Sequence, residues 1–503
     1  MGRSEGESDM GNPFFDETAI ALSPEQLFAL GPYLWLCAGL ALSVIAAGLR
    51  ASQFAVRSVV VAALLPFVWG LWTTVGEPAV YVFGSSLWLG SSTKGVGIAV
   101  GLLGIAAGLF SRSTDREGHP EWGAPLLTHV LGLSLLVGSR DFISFFVALE
   151  TVSLSGAMMA ALDTRRERSL EAGLKYLLMG AFASALFLMG GAWLYGSLGT
   201  FEFAVWFEEL PALVNGTAFP VVEVAAFLLV LTGLLMKLGA APFHMWSPDV
   251  YQAAPTALAA YLASASKLGI FCACAAMLSS SGALSLEGLR DFLYGIAIVS
   301  IVVGSLLALV QQKLRRLLAY SGVANVGYGL LLLAADTPEA SGTLLSYFLV
   351  YGLSFIAAFA LIEHFCRSLG REPHSDLSLE DLQQVGVRAH PWSLFLFAAV
   401  VFSVAGMPPL PGFFTKYFLL RDAWAAGLHV GAVFVLLSTL VGVGYYLKTL
   451  VPLFFSGESS GSTRWGWTLS LVAATFSLLL VFVLVTGLNN IGRWMLVTES
   501  LAR

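Results

Sequence analysis

Lys237-Leu-Gly-Ala-Ala-Pro-Phe-His-Met-Trp-Ser-Pro-Asp249 closes an apolar run that begins near Val222, and Pro255 follows soon after. Such a run is long enough to enter a bilayer, whose ~30 Å hydrocarbon core takes about 20 helical residues. Proline removes a backbone donor and clashes with the preceding turn, so the helix is interrupted inside its span. Backbone groups freed at that depth persist only where protein or water satisfies them. A second stretch reads the same way: Gly406-Met-Pro-Pro-Leu-Pro-Gly412, followed by Phe413-Phe-Thr-Lys416. Membrane helices tolerate single proline kinks. A lysine beside each of two breaks shifts the reading towards function.

Composition agrees with membrane insertion. The 503 residues are 57% hydrophobic and 12% charged, about half the charge of a soluble domain, and the mean hydropathy is +0.80. Candidate spans begin near Leu27, Phe54, Leu87, Gly123, Phe142, Leu170, Val222, Ala254, Asp291, Leu314, Leu344, Trp392, Leu428 and Trp467. By length alone these make about fourteen helices. The third is the least regular, because Lys94 interrupts a short apolar run. The segments are continuously apolar, without the alternation that a membrane barrel requires.

Charge between spans sets the orientation. Loops after odd spans hold Arg50 and Arg57; Arg112 and Arg116; Arg165, Arg166 and Arg168; Lys313, Arg315 and Arg316; and Arg367, Arg371 and Arg388. Loops after even spans hold little beyond Arg140, Arg290 and Arg421. The positive-inside bias places the odd loops in the cytoplasm and both termini outside. The loop after the seventh span carries only Asp249 and does not vote.

The two breaks lie five spans apart, and an odd number of spans reverses a repeat in the bilayer. The expected fold is therefore all-α and polytopic, with two inverted five-helix repeats and discontinuous helices 7 and 12, an arrangement transporters use for ion sites. The expected layout is an acidic segment 1–26, helices 1–3 in 27–122, a first repeat in 123–280, a second in 281–455, and helix 14 with the C-terminal segment in 456–503. Met1 to Glu17 is polar and mostly acidic, unlike a cleaved signal peptide. No basic run suggests nucleic-acid binding. Cys37, Cys272, Cys274 and Cys366 give no metal or disulfide pattern.

Ionisable residues at membrane depth are the candidate site. Glu150 lies nine residues after Asp141, ~13 Å along its helix and close to the midplane. Lys237 lies fourteen residues after Glu223, ~21 Å along. Lys267 lies twelve residues after Pro255, ~18 Å along, and Lys416 follows the second break. Each central charge costs about 2.5–3.5 kcal/mol facing lipid. They must face the interior, be paired, or be hydrated. Burial disfavours a charged amine and a nearby carboxylate favours it, so a Glu150–Lys237 pair that opens and closes can release and regain a proton. Lys267 and Lys416 can then hand protons onward through water. Static buried salt bridges fit less well, because one glutamate cannot neutralise three lysines. His244 is either a relay or a structural donor. Glu171 and Lys175 form an ordinary i,i+4 pair, and Glu363 with His364 reads as a solvated end of a span.

At these residues the chain resembles a known family. Lys237 through Lys267 (KLGAAPFHMWSPDVYQAAPTALAAYLASASK), Ala319 through Tyr328 (AYSGVANVGY) and Gly406 through Lys416 (GMPPLPGFFTK) resemble the antiporter-like membrane subunits of respiratory complex I, NADH–quinone oxidoreductase, most of all the subunit N branch. The resemblance implies fourteen helices, a half-height water channel in each repeat, and a role in proton pumping. Glu150, Lys237, Lys267 and Lys416 match the family's glutamate and lysines of helices 5, 7, 8 and 12. It also implies a non-redox subunit of the bacterial inner membrane, with no cofactor in this chain. NADH, FMN, iron–sulfur clusters and quinone are then held by partner subunits, and neighbouring antiporter-like subunits and lipid surround it. The chain itself has no dinucleotide fingerprint or cluster-ligating cysteine set. It departs from the family at Ala253 and Ala257, which are expected to make the eighth helix start more regular, at Pro411, and at Asn325, which cannot titrate where relatives often have His. A multi-subunit cation/proton antiporter shares the fold and the lysines, and is the alternative.

Overall fold

The computed structural model describes residues 22–111, 120–206, 208–209, 221–279, 287–371, 375–388 and 391–454. Helices α1 (Pro24–Gly48), α2 (Gln53–Thr73), α3 (Ser91–Phe110), α4 (Gly123–Gly138), α5 (Phe142–Ala160) and α6 (Glu167–Leu198) come first. The seventh span is split into α7 (Val221–Leu238) and α8 (Trp246–Ala253). The eighth is α9 (Thr256–Tyr261) joined by a wide π turn, Leu262–Ser266, to α10 (Lys267–Ser279). Then follow α11 (Glu287–Val310), α12 (Leu314–Ala335), α13 (Pro338–Ser368), the short α14 (Asp381–Arg388), the split pair α15 (Pro391–Ala405) and α16 (Pro411–Ala425), and α17 (His429–Phe454).

Among the described residues, eleven helices are long and apolar enough to cross a membrane. Shorter helices, α4 and the interrupted pair α15–α16, stand where the sequence reading expects two further spans. The expected helix from Trp467, the segment 456–503 and most of 1–26 lie outside the described residues. The third span is corrected at its start. Leu87–Leu89 is a strand paired antiparallel with Val80–Val82, and the helix begins at Ser91. Lys94 does not interrupt that helix. It sits in its first turn, is buried, and donates to the Thr74 carbonyl at 2.6 Å, at the electronegative end of α2.

A helix apolar all round belongs in the middle of a bundle. The most apolar windows of α12 and α13 are each 94% buried, against 28% for α1. The interior is therefore built from the spans that surround Lys267. The outer faces of α1, α2 and α6 carry exposed Leu34, Trp69 and Phe182, suited to lipid.

Both breaks are made the same way. In α7, the Gly239 amide donates to the Met236 carbonyl and the Ala240 amide to Leu235, with Gly239 at φ +71°. In α15, Gly406 donates to Ser403 and Met407 to Phe402, with Gly406 at φ +86°. This paired closure satisfies carbonyls that a helix end leaves open. A proline follows each glycine by three residues, Pro242 and Pro409, and so keeps the chain from resuming the helix. The two lysines, however, are not equivalent. Lys237 precedes its glycine by two residues, and Lys416 follows its glycine by ten.

The closures generate a prediction. An alanine at Gly239 meets only ordinary contacts beyond 3.5 Å, whereas a Cβ at Gly406 lies 2.8 Å from Lys416 Cδ. Each substitution places a side chain in the left-handed region, at about 1–2 kcal/mol. Gly406→Ala should therefore lower the thermal stability of the purified protein more than Gly239→Ala, and an equal or reversed order would overturn the packing role given to Gly406.

Candidate functional site

Asp141 caps α5 by accepting from the Ser144 amide at 2.8 Å, which fixes the depth of Glu150. Lys237 stands in the last turn of α7, where the helix dipole favours a cation. The two meet at 2.8 Å, with the Lys237 side chain 5% exposed and that of Glu150 26%. Lys237 also donates to Ser153, one turn beyond Glu150 on α5, and Ser184 of α6 donates to Glu150. A cavity of about 20 Å³ opens beside this pair, lined by Ser153, Tyr176, Lys237 and Trp246 among others. That is room for one water with polar partners.

Lys267 begins α10 and is buried. Its Nζ donates to the Gly322 carbonyl at 3.0 Å and to the Tyr351 hydroxyl at 3.3 Å, with the rings of Tyr251 and Tyr351 within 6 Å. Lys416 is half-buried and folds back across the second break. Its Nζ donates to the Ala405 carbonyl at 3.1 Å, the end of α15, and stands 5.7 Å from the centre of the Tyr328 ring. Both break lysines thus serve the carbonyl end of a first half-helix. Lys237 does so from within it, Lys416 from the segment beyond. Among the described residues neither Lys267 nor Lys416 has a carboxylate in ion-pair range.

Asn325 lies between them and is hydrogen-bonded rather than isolated. It donates to the Ser321 carbonyl at 2.7 Å and accepts from the Tyr347 hydroxyl. Ser321 and Tyr446 share a hydrogen bond of 2.6 Å, and Tyr328 one of 2.7 Å with Ser438. Hydroxyl groups of Ser321 and Tyr347 thus meet the Asn325 amide, and further phenol–serine pairs lie along the same helix.

Other expectations fare differently. His244 forms part of a short 3₁₀ turn between α7 and α8, is buried, and packs edge-on to Tyr320 at 6.1 Å. Its Nδ1 has no partner among the described residues, and it bonds to none of the lysines. Asp249 is not in a loop: it lies in α8. One carboxylate there meets Lys175 of α6 and Arg316 of α12, each at 2.8 Å. The Glu171–Lys175 pair is present at 2.7 Å, but Lys175 is shared with Asp249. Glu363 is buried and paired with Arg367, which corrects the solvated reading. The eighth span starts as regular α-helix over Thr256–Tyr261, and its irregularity is the π turn Leu262–Ser266 just before Lys267.

The sequence reading passed over His129, which is wholly buried in α4. An ionisable residue within an apolar span is a functional candidate by default, and that signal was legible. Ser153 was legible too, three residues from Glu150 and hence on its face. Ser184 and Tyr351 carry no sequence mark of their role, because only packing brings them to the charges.

Comparison with known proteins gives a consistent result. The family described as NADH:quinone oxidoreductase/Mrp antiporter, TM, matches residues 139–442. NADH-quinone oxidoreductase subunit N of Acidithiobacillus ferrooxidans is 38% identical over 66% of this chain and 67% of its own length. The subunit N of Methylobacterium nodulans is 31% identical over 90% of this chain and 94% of its own. A chain of respiratory complex I from Thermus thermophilus superposes with a TM-score of 0.75 at 29% identity, covering 91% of this chain and 97% of that one.

The geometry of the pair predicts an asymmetric cost. Removing one partner of a buried pair strands the other charge, at about 3–5 kcal/mol in dry sites. Lys237 is the drier partner, so Glu150→Leu should destabilise the purified protein more than Lys237→Met. The double variant should recover much of the loss. Equal single effects with no recovery would show that the contact is incidental.

Proposed function

This chain belongs to the membrane-subunit family of NADH:quinone oxidoreductases and Mrp antiporters, and we propose that Glu150, Lys237, Lys267 and Lys416 carry its protons. It is a multi-pass, proton-translocating membrane subunit of NADH-quinone oxidoreductase, placed in a complex with other membrane subunits. The Glu150–Lys237 contact beside a broken helix is the observation that carries the proposed route. Moving the carboxylate away removes the charge that favours the ammonium, and returning it restores that charge. A proton can therefore leave and rejoin at this point.

The cavity beside Lys237 and the hydroxyl groups around Lys267 supply hydrogen-bonding partners for onward transfer. The phenol and serine network between Lys267 and Lys416 does the same without a histidine at position 325. His244, in the turn beside the first break, is a further candidate along this route. In this reading the chain performs no redox chemistry. NADH, FMN, iron–sulfur clusters and quinone act in partner subunits, and antiporter-like subunits are its lateral neighbours. The bacterial inner membrane is the proposed site, with both termini on the periplasmic side. The cation/proton antiporter alternative shares the fold, but relatives named subunit N at 31% and 38% identity favour the redox-driven complex.

Lys237→Ala in the intact complex tests the assignment. It should depress proton translocation by about tenfold, equivalent to ~1.4 kcal/mol on the proton-transfer step, and the quinone reductase rate by less, so that fewer protons move per NADH oxidised. Unchanged rates of both in membrane vesicles would sink the role given to Lys237.

A further inference from the structure

His129 stands apart from the line of lysines, yet it touches the turn that aims one of them. It lies in α4 with no exposure, an expensive place for an imidazole without a task. Its Nε2 is 3.2 Å from Ser266 Oγ. Its ring meets Tyr261 edge-on, with centroids 5.3 Å apart. Nδ1 has no hydrogen-bond partner among the described residues.

Ser266 is the last residue of the π turn Leu262–Ser266, and Lys267 follows it directly. A π turn widens the helix ring and so changes the direction in which later side chains point. At 3.6 residues per turn, successive side chains point about 100° apart. Fastening Ser266 to α4 therefore turns Lys267 away from α4. It faces α12 and α13 instead, where Nζ finds Gly322 and Tyr351. Nearby, α10 approaches α4 so closely that a Cβ on Gly269 would lie 2.6 Å from Leu133 Cδ2. The anchor is thus held on a rigid contact. A proton relay needs a partner on each side of the imidazole, and His129 has one among the described residues.

We propose that His129 is a positioning residue, which acts through Ser266 to hold the π turn and keep Lys267 on Gly322 and Tyr351. The proposal rests on the reading of Lys267 as a proton carrier. It is a hydrogen-bonding role, not a titrating one.

The test uses the intact complex in membrane vesicles, with protons translocated per NADH oxidised as the readout. His129→Phe and Ser266→Ala should each lower that ratio, by no more than Lys267→Ala does. The double variant should fall no further than the larger single effect, because both remove one contact. His129→Gln keeps a hydrogen-bonding side chain but cannot titrate. It should restore the ratio with the pH profile of the unaltered complex. A Gln variant as impaired as Phe, additive losses in the double variant, or a normal ratio in His129→Phe would each overturn the proposal. If His129→Phe does not assemble, Ser266→Ala and His129→Gln decide the matter. A normal ratio in Lys267→Ala would instead remove the underlying reading of Lys267.

Discussion

A charge inside a bilayer is held by whatever dipoles and opposite charges the protein places within its reach. In this chain the recurring device is the carbonyl end of an interrupted helix. Glycine in the left-handed region closes each first half-helix, and a proline three residues later prevents its return. The last turn then presents electronegative carbonyls in a place where lipid would otherwise require a continuous helix. Lys237 occupies one such end from inside the helix, and Lys416 reaches the other from the far side of the break. The rest of the architecture serves to bring hydrogen-bonding partners to these two points and to Lys267 between them.

The partners differ in kind along the line. At Lys237 there is a carboxylate, a serine and a water-sized cavity. At Lys267 and Lys416 there are carbonyl oxygens and aromatic rings, which stabilise a cation without cancelling its charge. Among the described residues the first position is therefore the one of the three with a countercharge. At the position corresponding to Lys416, ten residues past the first glycine, stands Asp249. It ties α8 to α6 and α12 through Lys175 and Arg316. These contacts are about a third exposed, and such pairs contribute only ~0–1 kcal/mol each. Their importance is geometric: one carboxylate joins three helices, α6, α8 and α12, at the end of the broken span.

The sequence alone determined that the chain is a helical membrane protein, where most of its spans lie, and which charges sit at depth. Those conclusions follow from local quantities: apolar length, proline position, and residues counted at a fixed rise along a helix. The breaks were legible because glycine and proline act on their own backbone. Tertiary structure alone decided what each charge touches. Ser184 and Glu150 are far apart in sequence, as are Lys267 and Tyr351, and no periodicity links them. It also decided that Glu363 is buried, that Asp249 lies in a helix, and that the eighth span carries its irregularity just before Lys267. The physical reason is that an isolated helix fixes depth and face, whereas a hydrogen bond between helices depends on how closely and at what rotation they pack.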